Sequence, residues 1–106
     1  MARLLDEAEV SAALTDLDGW TVTDGALVRT VQFPDFPTAI GGVAAVAATA
    51  EELNHHPDID IRWRSVTFRC VTHSAGGITD LDVQLAAAID VVAAEDPEGP
   101  AGGPVG

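Results

Sequence analysis

All three histidines of this 106-residue chain, His55, His56 and His73, fall in its second half, and two of them are adjacent. Imidazole titrates near neutrality, so a cluster of rings can hold one protonated and one neutral member at once, which is an acid and a base side by side. On a regular helix, neighbouring residues point about 100° apart and could not aim at one spot. Here Pro57 follows directly and drives the preceding residue out of helical geometry, so both rings can reach a single pocket. A helix C-terminus also favours an imidazolium by roughly 0.3–1 kcal/mol. Taken alone, the pair reads as polar residues at a helix end sooner than as a site. His73 shifts the balance. It closes a hairpin that starts beside Pro57, and a hairpin runs out and back, so His73 is expected close to His55 and His56.

Three histidines with Asp82 or Glu52 could also hold zinc. Neither an HExxH nor a paired CxxC spacing is present, so acid/base chemistry is preferred and no metal is expected. Neither a serine nor the cysteine sits in a nucleophile-like context, and Gly76-Gly77 reads as a turn, not a phosphate loop.

These side chains must be carried by a framework. Leu5 to Leu17 reads as a helix capped by Asp6, with Glu9 three residues on completing a capping box and Val10, Ala13, Leu14 and Leu17 on one face. Trp20–Thr23 and Leu27–Phe33 flank Asp24-Gly25, a two-residue hairpin signal. Asp35 caps a second helix, with Pro37 in its first turn, running to about Asn54 with Ile40, Val43, Ala44, Ala47 and Ala50 as its buried stripe. Gly41 and Gly42 each weaken it by roughly 1 kcal/mol relative to Ala. In Asp58–Trp63, Ile59, Ile61 and Trp63 alternate with polar residues, the pattern of a half-buried strand. Arg64-Ser65 is the expected turn, and Val66, Phe68 and Cys70 continue the inward face. Thr79 caps the last helix, with Asp82 as its reciprocal partner and Leu81, Leu85, Ala88, Ile89 and Val92 as its stripe. The order α-β-β-α-β-β-α predicts an α+β two-layer sandwich, a four-stranded antiparallel sheet with helices on one face. One domain is expected over residues 1–94, with a disordered Pro/Gly-rich acidic tail over 95–106.

Composition narrows the function classes. Hydrophobic residues make up 47%, enough for a packed core, and the net charge is −12 with no lysine. Such a surface repels phosphate backbones, so direct nucleic-acid binding is not expected. No stretch has the roughly 18 apolar residues of a membrane span, and the first residues turn acidic too early for a signal peptide; the expected location is cytoplasmic. Cys70, the single cysteine, excludes a disulfide framework and is placed in the core.

The spacing Glu51-x-x-x-His55-His56-Pro57, then Trp63, His73 and Asp82, closely resembles the signature of the pterin-4a-carbinolamine dehydratases. Gly19-Trp20, Phe33-x-Asp35-Phe36 and Gly77-Ile78-Thr79-x-x-Asp82 extend the likeness, which covers roughly residues 4 to 94. The resemblance implies a hydro-lyase that converts 4a-hydroxytetrahydropterin to quinonoid dihydropterin and water, without metal or organic cofactor, in pterin cofactor recycling. It implies that His55, His56 and His73 share the acid and base roles, without dividing them. Asp82 is read either as a capping residue or as one that orients His73 or meets the pterin edge. Glu51, one turn before His55, can touch that ring or be solvated. Trp20 can stack at the pocket or belong to the core, and Trp63 is placed in the core. The expected partners are a pterin, further copies of the chain as a homodimer or homotetramer, and an aromatic amino acid hydroxylase in the same pathway. The alternative is a non-catalytic binding or assembly module of the same fold.

Overall fold

The computed structural model describes residues 2–95. The expected tail lies, beyond Glu95, outside the described residues. The elements run α1 (Glu7–Leu14), β1 (Thr21–Thr23), β2 (Ala26–Gln32), α2 (Phe36–Leu53), β3 (Asp58–Arg62), β4 (Ser65–Cys70), a short 3-10 turn (His73–Ala75) and α3 (Asp80–Glu95). The four strands form one antiparallel sheet in the order β1-β2-β4-β3. This is the α+β sandwich that the sequence predicts. None of the described helices is long and apolar enough to cross a membrane.

The sheet has one apolar and one polar face. Leu27, Val31, Val66, Phe68 and Cys70 are fully buried and pack against Val46, Ala50, Leu85 and Ile89 from α2 and α3. The opposite face carries Thr30 and Thr67, whose hydroxyls lie 2.8 Å apart, and Asp58 beside Arg69. Side chains alternate across a strand, so the even-numbered residues of β2 and β3 and the odd-numbered ones of β4 take the polar side.

Local signals act as the sequence suggests. Asp6 accepts from Glu9 N at 2.8 Å while Glu9 returns to Asp6 N at 3.1 Å, a complete capping box. Asp24 and Gly25 both have positive φ, +49° and +75°, as a type I′ hairpin turn requires. Asp35 caps α2 by accepting from Thr38 N at 2.8 Å.

Several expectations need correction. α1 is shorter than Leu5–Leu17, because Leu5 N is spent on Ile78 O at 2.9 Å and Asp16 and Leu17 turn back on the carbonyls three residues earlier. The buried stripe of α2 is Ala39, Gly42, Val46 and Ala50; Ile40 is 42% exposed, and Ala44 and Ala47 are exposed too. The helix is rolled so that Gly42 meets the Phe33 ring: a Cβ there would lie 2.6 Å from Cε1. In α3 the fully buried positions are Asp82, Leu85, Ala86, Ile89 and Ala93, so Leu85 and Ile89 are placed correctly while Leu81, Ala88 and Val92 flank the stripe.

β3 lies at the sheet edge and is less covered than its alternation suggests: Ile59 packs on the core, but Ile61 is 39% exposed. The β3–β4 turn is Trp63-Arg64, since Arg62 pairs with Ser65. Trp63 therefore sits in the turn at φ +55°, partly buried, and not in the core. Its indole faces the Arg64 guanidinium, 4.9 Å from the ring centre. Arg64 is itself buried and donates to the Phe33 carbonyl at 2.9 Å.

Candidate active site

The C-terminus of α2 sets the first two histidines. Asn54 adopts the left-handed conformation, φ +49° and ψ +44°, which asparagine tolerates better than most residues. Asn54 N then donates to Glu51 O at 3.2 Å and His55 N to Ala50 O at 3.0 Å, the paired bonds of a Schellman cap. This reversal lifts His55 off the helix surface. Its ring therefore does not stack one turn above Glu51, as the i to i+4 spacing suggests. It crosses to α3, where Nε2 lies 2.5 Å from Asp82 Oδ1.

Asp82 is fully buried, and the His55 side chain is 11% exposed. A carboxylate removed from water needs its lone pairs satisfied. The second oxygen, Oδ2, accepts from Thr72 Oγ1 at 2.7 Å and from Thr79 N at 2.8 Å. The reciprocal half of the expected cap is thus present, but the Thr79 hydroxyl is hydrogen-bonded to Thr72 Oγ1 at 2.7 Å. Asp82 orients His55, where the sequence offered His73 or the substrate edge.

His56 takes the carboxylate expected for its neighbour. Its Nε2 lies 2.5 Å from Glu51 Oε2, on the surface, with both side chains more than half exposed. The two adjacent histidines therefore have opposite environments, one a nearly buried His–Asp pair and the other an open His–Glu pair.

His73 opens the 3-10 turn that follows β4. The residue before it, Thr72, is the one bonded to Asp82 and lies 3.5 Å from His55 Nε2. The loop is closed by Thr72 N to Gly77 O at 2.9 Å, and Gly76 turns it at φ +78°. The chain thus carries His73, with its side chain exposed, to the edge of the His55–Asp82 pair. The hairpin geometry brings the three histidines to one end of the sheet.

Trp20 is not at this place. It is buried in the core, and its indole N–H donates to Asp90 Oδ1 at 2.7 Å, an oxygen shared with Arg29 Nη1 at 2.6 Å. An apolar groove of about 400 Å³ lies between α1 and the β1–β2 hairpin, with Leu4, Val10, Leu14 and Val22 among its walls; none of the histidines lines it. No cluster of three or more His, Cys, Asp or Glu side chains able to hold a metal ion occurs among the described residues.

Two hydroxyls of the site were not anticipated, that of Thr72 as a donor to the carboxylate and that of Thr79 as the partner of Thr72. The signal for Thr79 was its cap position. Thr72 carries no local signal, since its role depends on β4 ending beside α3.

Chemically, a neutral imidazole held by a buried carboxylate is a base with a fixed orientation, and an exposed imidazole beside another carboxylate can carry a proton. Comparison with known proteins places the chain among relatives of similar length. The family model for pterin 4 alpha carbinolamine dehydratase matches residues 3–92. A Mycolicibacterium vanbaalenii protein named "Putative pterin-4-alpha-carbinolamine dehydratase" is 61% identical over 90 residues, 85% of this chain and 96% of that one. A Mycobacterium tuberculosis H37Rv protein of the same name is 55% identical over 92 residues, 87% of this chain and 97% of its own length. A crystal structure of a transcriptional coactivator/pterin dehydratase from Brucella melitensis superposes with a TM-score of 0.82 at 40% identity, over 84% of this chain and 97% of that one. With the family model matched over residues 3–92 and relatives this similar over nearly their whole length, the chain belongs to the pterin 4 alpha carbinolamine dehydratase family.

Proposed function

We propose that this protein is a hydro-lyase acting on 4a-hydroxytetrahydropterin, with histidines as its acid and base. The observation that carries this reading is the pairing of His55 with buried Asp82 next to the loop that delivers His73, in a chain of this family. In the reaction a base removes the proton on N5, the electron pair forms the C4a=N5 bond, and the C4a–O bond breaks. An acid protonates the departing hydroxyl, which leaves as water, so the products are quinonoid dihydropterin and water. His55 is suited to the base role because its proton sits on the nitrogen facing Asp82. His56 and His73, both exposed, are suited to hold the pterin and supply the proton. The reading needs no metal and no organic cofactor, the pterin being the substrate. It places the protein in the cytoplasm, in recycling of a pterin used by an aromatic amino acid hydroxylase. It also favours a homodimer or homotetramer, supported by Phe36 and Ile40, which lie one turn apart on α2 and are 48% and 42% exposed.

The test is direct. Purified protein is mixed with chemically generated 4a-hydroxytetrahydropterin, and the ultraviolet change is followed. Dehydration well above the spontaneous rate is expected, and His56→Ala or His73→Ala should lose most of it. A rate equal to the spontaneous one would refute the enzyme reading. The other reading, a non-catalytic binding module, would then stand, in line with the coactivator description of the Brucella protein.

A further inference from the structure

We infer that Thr72 and Thr79 are positioning residues, and that their coupled hydroxyls set the position of the proton on His55 by holding Asp82. The Thr79 hydroxyl lies 3.5 Å from Asp82 Oδ2 but only 2.7 Å from Thr72 Oγ1, and the shorter contacts fix one arrangement for an ionised carboxylate. Thr72 Oγ1 has a single proton, which it donates to Asp82 Oδ2 at 2.7 Å. Its 2.7 Å contact with Thr79 Oγ1 must then be one in which Thr79 donates and Thr72 accepts. Oδ2 receives the Thr79 backbone N–H as well, at 2.8 Å. Both threonines are buried, at 6% and 0% exposure, so water does not readily replace either hydroxyl. The carboxylate is thereby locked with Oδ1 aimed at His55 Nε2.

An unprotonated Nε2 at 2.5 Å from that oxygen would set two lone pairs against each other, so Nε2 carries the proton. When the ring is neutral, Nδ1 is its basic nitrogen. Thr72 Oγ1 also lies 3.5 Å from Nε2. Were its proton turned towards that nitrogen, Oδ2 would lose a donor and the ring would be stabilised in the opposite tautomer. Thr79, by donating to Thr72, leaves the Thr72 proton free for Oδ2 alone. The pair thus works as a directional chain, Thr79 to Thr72 to Asp82, that ends at His55.

The inference rests on the dehydratase reading for its kinetic readout only; its spectroscopic readout does not. Thr72→Val keeps the shape and removes the hydroxyl, and Thr72→Ser keeps the hydroxyl. Protein with ring-¹⁵N histidine is followed by NMR at a pH where His55 is neutral. Wild type and Thr72→Ser should show the His55 proton on Nε2, slow to exchange. Thr72→Val should show a mixed or Nδ1-protonated ring, and kcat should fall roughly tenfold, a part of what acid/base groups contribute, with KM little changed and the pH–rate profile displaced. If Thr72→Val does not fold, Thr79→Val carries the same comparison from one step further away. A folded valine variant with the wild-type His55 tautomer and exchange rate overturns the inference, whatever the protein catalyses. If wild type shows no dehydration, the function reading fails and the NMR comparison still decides this one.

Discussion

Replacing Asp82 by asparagine tests the core of the site with almost no change in shape. The carboxylate receives three donors: His55 Nε2 on one oxygen, and Thr72 Oγ1 and Thr79 N on the other. An amide offers one acceptor and one donor group, so it can accept on one side only. With its oxygen towards His55, the NH2 would face the Thr79 N–H in a fully buried position, and an unsatisfied buried donor costs about 1–3 kcal/mol. With its oxygen towards the threonines, both of those bonds survive and the NH2 faces His55. That orientation wins, because the ring can answer by moving its proton to Nδ1. The loss of charge still weakens the bonds, since charge-assisted ones are roughly twice as strong as neutral ones. A net destabilisation of about 1–3 kcal/mol is expected, against a typical domain stability of roughly 5–15 kcal/mol, so the variant should fold. Its activity should fall by about 10²–10⁴, the range of general acid/base contributions, because the basic nitrogen now points at residue 82. Urea unfolding gives the first number, stopped-flow ultraviolet kinetics the second, and ring-¹⁵N NMR the tautomer. An Asp82→Asn protein with wild-type rate and Nε2 still protonated would refute the reasoning.

Two further outcomes follow from packing and burial. Gly41→Ala should stabilise the protein by about 1 kcal/mol through helix propensity, as nothing lies within 4 Å of the new methyl. Gly42→Ala should not, because its Cβ would lie 2.6 and 2.7 Å from the buried Phe33 ring and overpacking costs about 1–3 kcal/mol; equal unfolding midpoints for the two variants would contradict the packing. Burial first, and then the charges of Asp82 and Asp58, push the Cys70 thiol from 9.0 up to about 12. The unfolded chain then releases this proton at lower pH than the native one, so the stability it contributes is intact below pH 9 and is lost as pH rises through about 12. Alkylation of the native protein at pH 8.5 should be correspondingly slow, and should speed up in urea; fast native labelling would contradict the burial.

What sequence and tertiary structure each decided is clearest at the α2 terminus. His-His-Pro followed by a hairpin ending in His73 was enough to expect the three histidines at one end of the sheet, because a two-stranded ribbon must return to where it started; it did not foresee that the adjacent rings part, His55 to buried Asp82 and His56 to exposed Glu51. The capping box at Asp6 and Glu9, the Asp24-Gly25 turn and the inward Val66, Phe68 and Cys70 were likewise local patterns, and local patterns survive folding. The sequence by itself could not assign the carboxylates. Helical spacing offers Glu51 to His55, but Asn54 in the left-handed conformation turns the chain, so His55 goes to Asp82 and His56 takes Glu51. Nor could it roll α2, since choosing between Ile40 and the Gly42 side depends on where Phe33 from β2 places its ring. The exposure of Ile61 depends on β4 pairing with β2, which leaves β3 at the edge. Each of these choices rests on a contact between segments far apart in the chain, and such a contact has no periodicity to read. The proton on His55 is the furthest of them, fixed by two threonines from the β4–α3 connection acting through an aspartate on α3.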